Sequence, residues 1–272
     1  MLELEHGFRV VDCHARLHAG PGRPVRGRTI DGEDLEREMH QAGVVRAVVF
    51  PGPQKGDQGY LRANNAVARQ AVERPFIAFA RIDGPRDPGD GATSALRNFT
   101  SSRAEWQTSP EDIEQYAYDD RFHGFKLDPT QDGLPDGDVL DVLDDVGLPV
   151  LVHGGRGFTP TELEASLLGR EFPVVLAHFG GHPLDRGLMG DAIDLLDGYD
   201  DLYLDTAAVR YRELLERAVR EHPDRVLFGS GAPATHPNVA VMEMLTLDVT
   251  EDAMTKVFGR NPSRVIPGLD SE

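Results

Sequence analysis

The sequence predicts an α/β fold, a single (β/α)8 TIM barrel with eight parallel strands and an excursion after the third. Three observations carry the prediction. Eight short runs of β-branched and apolar residues recur along the chain, helix-like segments separate them, and 272 residues suffice for one barrel. Most of the runs are apolar throughout rather than alternating, the pattern of parallel strands buried on both faces. An open doubly wound sheet is the runner-up, weakened because no glycine-rich phosphate fingerprint follows the first run.

The first run, FRVVDCH (8–14), is followed by DGEDLEREMHQAG (31–43), whose early acidic residues and final glycine mark the two ends of a helix. VVRAVVF (44–50) precedes YLRANNAVARQAVE (60–73), which has helical spacing. FIAFARI (76–82) leads instead into the excursion, residues 84–121, which hold the only tryptophan, Trp106, and many turn formers. After a barrel strand such a segment belongs on the C-terminal face, either covering a site or decorating the surface. FHGFKLD (122–128) and DVLDDVG (141–147) form the fourth strand and helix. LPVLVH (148–153) is followed by TPTELEASLLG (159–169), with a Thr-Pro start. FPVVLAH (172–178), LYLDT (202–206) and RVLFGS (225–230) complete the strands; AVRYRELLERAVREH (208–222) and TEDAMTKVFG (250–259) are the last helices. The chain, 1–272, reads as one domain without repeats, low-complexity tracts or linkers.

The net charge is −18, and only Lys55, Lys126 and Lys256 are lysines; the other basic residues are arginine. Such a surface repels nucleic acid and anionic membranes; the partner expected is a small-molecule substrate or ligand. High ionic strength screens this self-repulsion, so a halophilic source is expected; a GC-rich genome would explain arginine over lysine but not the acidity. Cys13, the single cysteine, excludes an internal disulfide framework and a cysteine-based zinc site. MLELEHGFRV lacks the features of a signal peptide and no apolar run reaches spanning length, so a cytoplasmic protein is expected. The excursion and VMEMLTL (241–247) are where a homo-oligomer surface would lie, with burial inside the fold as the alternative.

In a barrel the active groups project from the C-terminal ends of strands. Those ends carry His14 and Arg16, Lys126 and Asp128, His153, His178, Asp205, and Ser230 with Gly231. Closure aims the three histidines at a common axis. Residues two apart on a strand face the same way, so Arg16 points into the site beside His14, roughly 7 Å along the strand. His18 would share that face only if the strand continued. GRGFTP (155–160) is either an anion-binding helix start or a plain N-cap. His182, His222 and His236 precede prolines and read as surface turn residues; His236, in APATHP, lies near the mouth and is held as a substrate contact.

The first-strand DxH, LVHGG around His153, LAHFGG on strand six, LFGSGAP on strand eight and the late GRNPSRVI resemble the amidohydrolase superfamily. The similarity is greatest to its amidohydrolase-related branch of metal-dependent hydrolases and decarboxylases of the aminocarboxymuconate-semialdehyde type. The resemblance implies one divalent metal such as zinc, with His14 and His153 as ligands and His178 as a ligand or a substrate-orienting group. Two positions depart from the family pattern. Arg16 stands where a second strand-one histidine belongs, and Gly231 stands where the catalytic aspartate belongs. A guanidinium has no lone pair to give and stays protonated, so Arg16 cannot ligate a cation. Gly231 removes the carboxylate that would take a proton from an attacking water.

Three readings follow. One is a hydrolase with a mononuclear His14, His153 and His178 site. A second is metal-free: Arg16 polarises a carbonyl or grips a carboxylate, His178 and Asp205 serve catalysis, and Lys126, Asp128 and His236 contact the substrate during hydrolysis or lyase-type decarboxylation. The third is a barrel without turnover that binds an anionic ligand or a protein partner. Lys126 also matches the strand position of a carboxylated lysine in some branches, its default role being an ion pair with a carboxylate. The structural alternative for Arg16 is an ion pair with Asp205 or Asp128.

Overall fold

The computed structural model describes residues 5–18, 27–54, 58–89 and 91–269. The start of the N-terminal stretch and Asp90 of the excursion lie outside them.

The elements follow as β1 Val10–Leu17, α1 Gly32–Ala42, β2 Val44–Pro51, α2 Leu61–Glu73, β3 Phe76–Ile82, α3 Ala92–Thr100, α4 Pro110–Ala117, β4 Phe122–Leu127, α5 Pro129–Asp132 and α6 Gly137–Val146. Then come β5 Val150–Gly155, α7 Pro160–Ser166, β6 Val174–His182, α8 Arg186–Leu195, β7 Leu202–Asp205, α9 Arg212–Glu221 and β8 Val226–Leu227. After β8 come α10 Pro237–Leu245, α11 Glu251–Thr255, a π-helical turn Lys256–Arg260 and α12 Asn261–Val265. All eight predicted strands are present, parallel and ordered β1 to β8. Closure onto β1 uses Cys13 N–H to Phe228 O (2.8 Å), Gly231 N–H to His14 O (3.0 Å) and Arg16 N–H to Ala232 O (2.8 Å).

Alternation along each strand divides the core into two shells. Val48 and Phe50, Ile77 and Phe79, Val175 and Ala177, with Tyr203, fill the inside of the barrel. Their odd-numbered or even-numbered neighbours, such as Ala47, Val49, Ala78, Ala80, Val174 and Leu176, pack against the helices. Every strand is thus buried on both faces, which is why its sequence reads as an unbroken apolar run.

Helix ends follow local chemistry. Asp31 caps α1 by accepting from Asp34 N–H, and Gly43 ends it at φ 66°. Thr159 and Glu162 form a capping box at α7, so the Thr-Pro start is an N-cap. The excursion is more regular than its turn formers suggested. It contains α3 and α4, the latter opened by a Ser109–Asp112 capping box with Pro110 in the first turn. It packs on the C-terminal loops: Thr108 N–H donates to Asp83 (2.8 Å), and the Trp106 carbonyl abuts Gly59, where φ is +56° and a Cβ would lie 2.5 Å from that oxygen. Within VMEMLTL, Val241, Met244 and Leu247 are buried while Met242 is exposed. Asn261 of GRNPSRVI donates to the carbonyls of Pro223 and Val226, both at 2.8 Å, tying the C-terminal helices to β8. Among the described residues, no helix is long and apolar enough to cross a membrane.

Candidate active site

A bulge in β1 arms the mouth of the barrel. Asp12 pairs with Ala47 but Ala15 with Val49, so β1 carries one extra residue here. Cys13 belongs to the inner shell and Ala15 to the outer one. The switch of parity turns Arg16 inward above Phe50, its register partner on β2. Gly52 gives that side chain room: a Cβ there would meet Arg16 Cδ at 3.4 Å.

His14 Nδ1 lies 2.6 Å from Asp205 Oδ2, in a contact that is buried on both sides. The other oxygen of Asp205 accepts from His178 N–H (3.0 Å) and Ala207 N–H (2.9 Å). Burial pushes the Asp205 carboxyl upward, but the His14 and His178 imidazoles and these hydrogen bonds prevail and hold it below the usual carboxylate range. His178 Nδ1 donates to Ala207 O (2.7 Å), because a carbonyl can only accept. Burial, then His14 and His153, hold the His178 ring well below its ordinary pKa, so it is neutral with Nε2 as its proton acceptor. His14 likewise donates from Nδ1 to the carboxylate, which makes Nε2 the accepting nitrogen of its neutral form. His178 and Phe179 have φ of 60° and 50°, a left-handed kink within β6 that non-glycine residues adopt at a cost of about 1–2 kcal/mol each.

His178 sits at the centre of four imidazoles. Its ring centroid is 4.9 Å from those of His14, His153 and His182, and His153 lies 4.8 Å from His182. His182 therefore corrects the sequence reading: β6 continues through the kink, and the residue joins the cluster instead of a surface turn. His153 is pushed well below its ordinary pKa by burial first, then by Lys126 and His182. Among the described residues, no three histidine, cysteine, aspartate or glutamate side chains are grouped so as to hold a metal ion.

Facing the histidines is a cationic wall. Arg81, at the end of β3, is fully buried and pairs in register with Lys126 on β4. Its Nε donates to Asp132 (2.8 Å), Tyr60 O–H donates to the same carboxylate (2.5 Å), and the guanidinium lies 5.1 Å from the Tyr60 ring centroid. Arg16 differs. Its Nε is buried without a hydrogen-bond partner, and among the described residues no carboxylate lies within ion-pair distance of it. Burial, then Arg81, lower its pKa to about 10 against the opposing pull of Asp128 and Asp132, so it remains a cation at neutral pH. The anticipated ion pair with Asp205 or Asp128 is not made: Asp205 is committed to His14, and Asp128 accepts from Thr130 (2.7 Å) and Gln131 (2.6 Å).

Lys126 departs from its expected default too. Its Nζ donates to the carbonyls of Leu127 (3.2 Å) and Leu151 (3.3 Å) and lies 5.4 Å from the Phe50 ring centroid, not against a carboxylate. His236 sits away from the cluster, capping α10 through Asn238 N–H, with Nε2 3.8 Å from Glu38. His18 follows directly after β1, which runs to Leu17, and its Nδ1 accepts from Ile30 N–H at 3.4 Å. Ser230 is a closure element: its hydroxyl and backbone N–H both donate to Asp12, at 2.5 and 2.8 Å. Gly231 has φ +74° and its backbone N–H bonds His14 O, beside the position where Cβ would face Ala207.

Arg81, Asp132, Tyr60 and His182 were missed in the sequence. Arg81 had a readable signal, because it is the one charged residue of FIAFARI and shares the inward parity of Ile77 and Phe79. Tyr60 directly precedes α2 and Asp132 ends the four-residue α5, positions where no periodicity points a side chain into the site.

A family model described as amidohydrolase matches residues 11–268. A comparison with curated protein sequences finds no match. Among solved structures, a variant of 5-carboxyvanillate decarboxylase from Novosphingobium aromaticivorans, with bound manganese and 3-methoxy-4-hydroxy-5-nitrobenzoic acid, is 15% identical with a TM-score of 0.69, covering 97% of this chain and 99% of that one. A 2,6-dihydroxybenzoate decarboxylase from Rhizobium is 14% identical with a TM-score of 0.64, covering 95% and 98%. An uncharacterized TIM-barrel protein from Bordetella bronchiseptica is 17% identical with a TM-score of 0.65, again covering 95% and 98%. At these identities the likeness is one of fold.

Proposed function

The chain belongs to the amidohydrolase family, and from that premise we propose that it is an enzyme cleaving a bond beside the carboxylate or carbonyl of a small molecule, by hydrolysis or decarboxylation, with Arg16 as the anion anchor. The observation that carries this reading is the Arg16 guanidinium: turned into the mouth by a bulge, cationic, and with a buried Nε that has no partner. A carboxylate would supply that partner, in the paired geometry that guanidinium favours. Fold relatives that act on 5-carboxyvanillate and 2,6-dihydroxybenzoate support a carboxylate-bearing substrate.

A resident metal does not fit this donor set. Arg16 places a fixed positive charge where a ligand is expected, Gly231 brings no carboxylate, and no group of three ligand side chains assembles among the described residues. The proton chemistry falls to the imidazoles. Neutral His178 has an Nε2 lone pair with which to take a proton from substrate or water and return it to the product, and His14, held by Asp205, presents its own Nε2 to the site. Asp205 positions His14 and stabilises its imidazolium form.

Isothermal titration with benzoate and acetoacetate tests the anchor. Wild-type protein should bind, and Arg16→Ala should weaken binding by about tenfold or more. Equal affinity in the two proteins would remove Arg16 from this role. The missing carboxylate at Gly231 favours one other reading, a barrel that binds an anion without turning it over. Product formation from a panel of small carboxylic acids by wild type, abolished in His178→Ala, separates the two.

A further inference from the structure

We propose that Lys126 is an imine-forming catalytic residue, and that the substrate class is a small keto acid held by Arg16. The inference rests on the anion-anchor reading and deepens it.

Lys126 is 2% exposed, and the barrel gives its Nζ two backbone carbonyls and an aromatic face. Among the described residues no carboxylate lies within ion-pair distance of it, although the chain holds 46 acidic residues. Lys256 shows the usual arrangement, with Asp224 at 3.1 Å and Asp252 at 3.9 Å. An ammonium has three protons to place, whereas a neutral amine has two and keeps a lone pair. Two carbonyl acceptors therefore match the neutral form. The neighbours act in the same direction. Arg81 is the register partner of Lys126, and Arg16 adds a second guanidinium. Burial first, then these two cations, lower the pKa of Lys126 to about 7 against Asp128 and Asp205. A desolvated lysine beside fixed cations is an activated nucleophile.

With a 3-keto acid the sequence of bonds closes. The Lys126 amine adds to the ketone carbon, and loss of water with uptake of one proton from solvent leaves a protonated imine. The bond between the α-carbon and the carboxylate breaks, carbon dioxide departs, and the electron pair moves into the iminium to give an enamine. The α-carbon takes a proton from water, passed on by a neutral imidazole of the histidine cluster. Water then hydrolyses the new imine, releasing the ketone and the free amine. No oxidant or reductant is needed.

The test is reductive trapping on the intact wild-type protein with acetoacetate and sodium borohydride, followed by peptide mass mapping. Only three lysines have to be distinguished. The expected result is an isopropyl adduct on Lys126, absent without acetoacetate and lost in Lys126→Met. An adduct that retains the carboxylate would show imine formation without decarboxylation, and would overturn the catalytic role. No adduct, or adducts only on Lys55, Lys256 or the N-terminus, would overturn the inference entirely. The benzoate titration runs in parallel: binding that depends on Arg16 without trapping on Lys126 sinks the imine and leaves the anchor standing.

Discussion

His14 on β1 and Asp205 on β7 meet at 2.6 Å across the closed barrel, although 191 residues separate them along the chain. The same carboxylate holds the backbone of His178. One buried side chain thus orients both imidazoles that can move protons.

Asp205→Asn should disturb both at once. Exchanging a carboxylate that accepts three hydrogen bonds for an amide is expected to lower folding stability by about 1–3 kcal/mol. Urea denaturation measures it. An unchanged midpoint would show that Asp205 does not organise this side of the site.

Arg16→Met should behave in the opposite way. Removing a buried cation that has no carboxylate partner is expected to leave stability unchanged or raise it by up to about 1 kcal/mol. A loss of about 3–5 kcal/mol in the same assay is what a broken buried ion pair would produce, and would return Arg16 to a structural role.

Lys126 predicts a pH signature. Its folded pKa of about 7 lies below the unfolded value near 10.4, so between these values the unfolded chain binds a proton that the folded one does not. The contribution to stability is present above the unfolded value and is lost as pH falls through the folded one. Lys126→Met lacks this dependence. Its stability relative to wild type should be greatest at pH 6 and shrink by pH 10, with a change on the order of a few kcal/mol. A difference that stays constant with pH would place the amine in its ordinary charged state.

Gly231 tests the proposed correspondence with the family's carboxylate position. A Cβ there has space, since its nearest neighbour would be Ala207 Cβ at 3.5 Å, so strain arises from φ +74° alone. Gly231→Ala should destabilise by about 1–2 kcal/mol, and Gly231→Asp by less, because aspartate visits this region more readily. Combined with Arg16→His, Gly231→Asp should raise zinc affinity, while wild type purified without chelator should carry less than about a tenth of a transition metal per chain. A double variant that gains no zinc affinity would mean these strand ends do not correspond to the family's ligand positions.

The acidic surface makes a prediction about salt. With a net charge of −18, the thermal midpoint should rise as potassium chloride is increased from about 0.1 to about 2 M, because screening removes more repulsion than attraction. Full stability at the lowest salt would remove the expectation of a halophilic source.

The predicted strands overlap the observed ones because burial on two faces leaves a local mark, an unbroken apolar run. Helices α3 and α4 were hidden by the turn formers around them, although the Ser109 capping box was there to read. His182 was misread because Pro183 follows it, while β6 runs through a left-handed kink that no local preference announces.

The amino-acid sequence by itself determined the alternating elements and the strand ends that carry His14, Arg16, Lys126, His153, His178 and Asp205. Tertiary structure alone decided that Asp205 partners His14, that Arg16 is left without a carboxylate, and that Arg81 stands beside Lys126. Periodicity is set by neighbours a few residues apart, whereas these pairings depend on strand register, one bulge in β1 and closure between chain segments far apart in sequence.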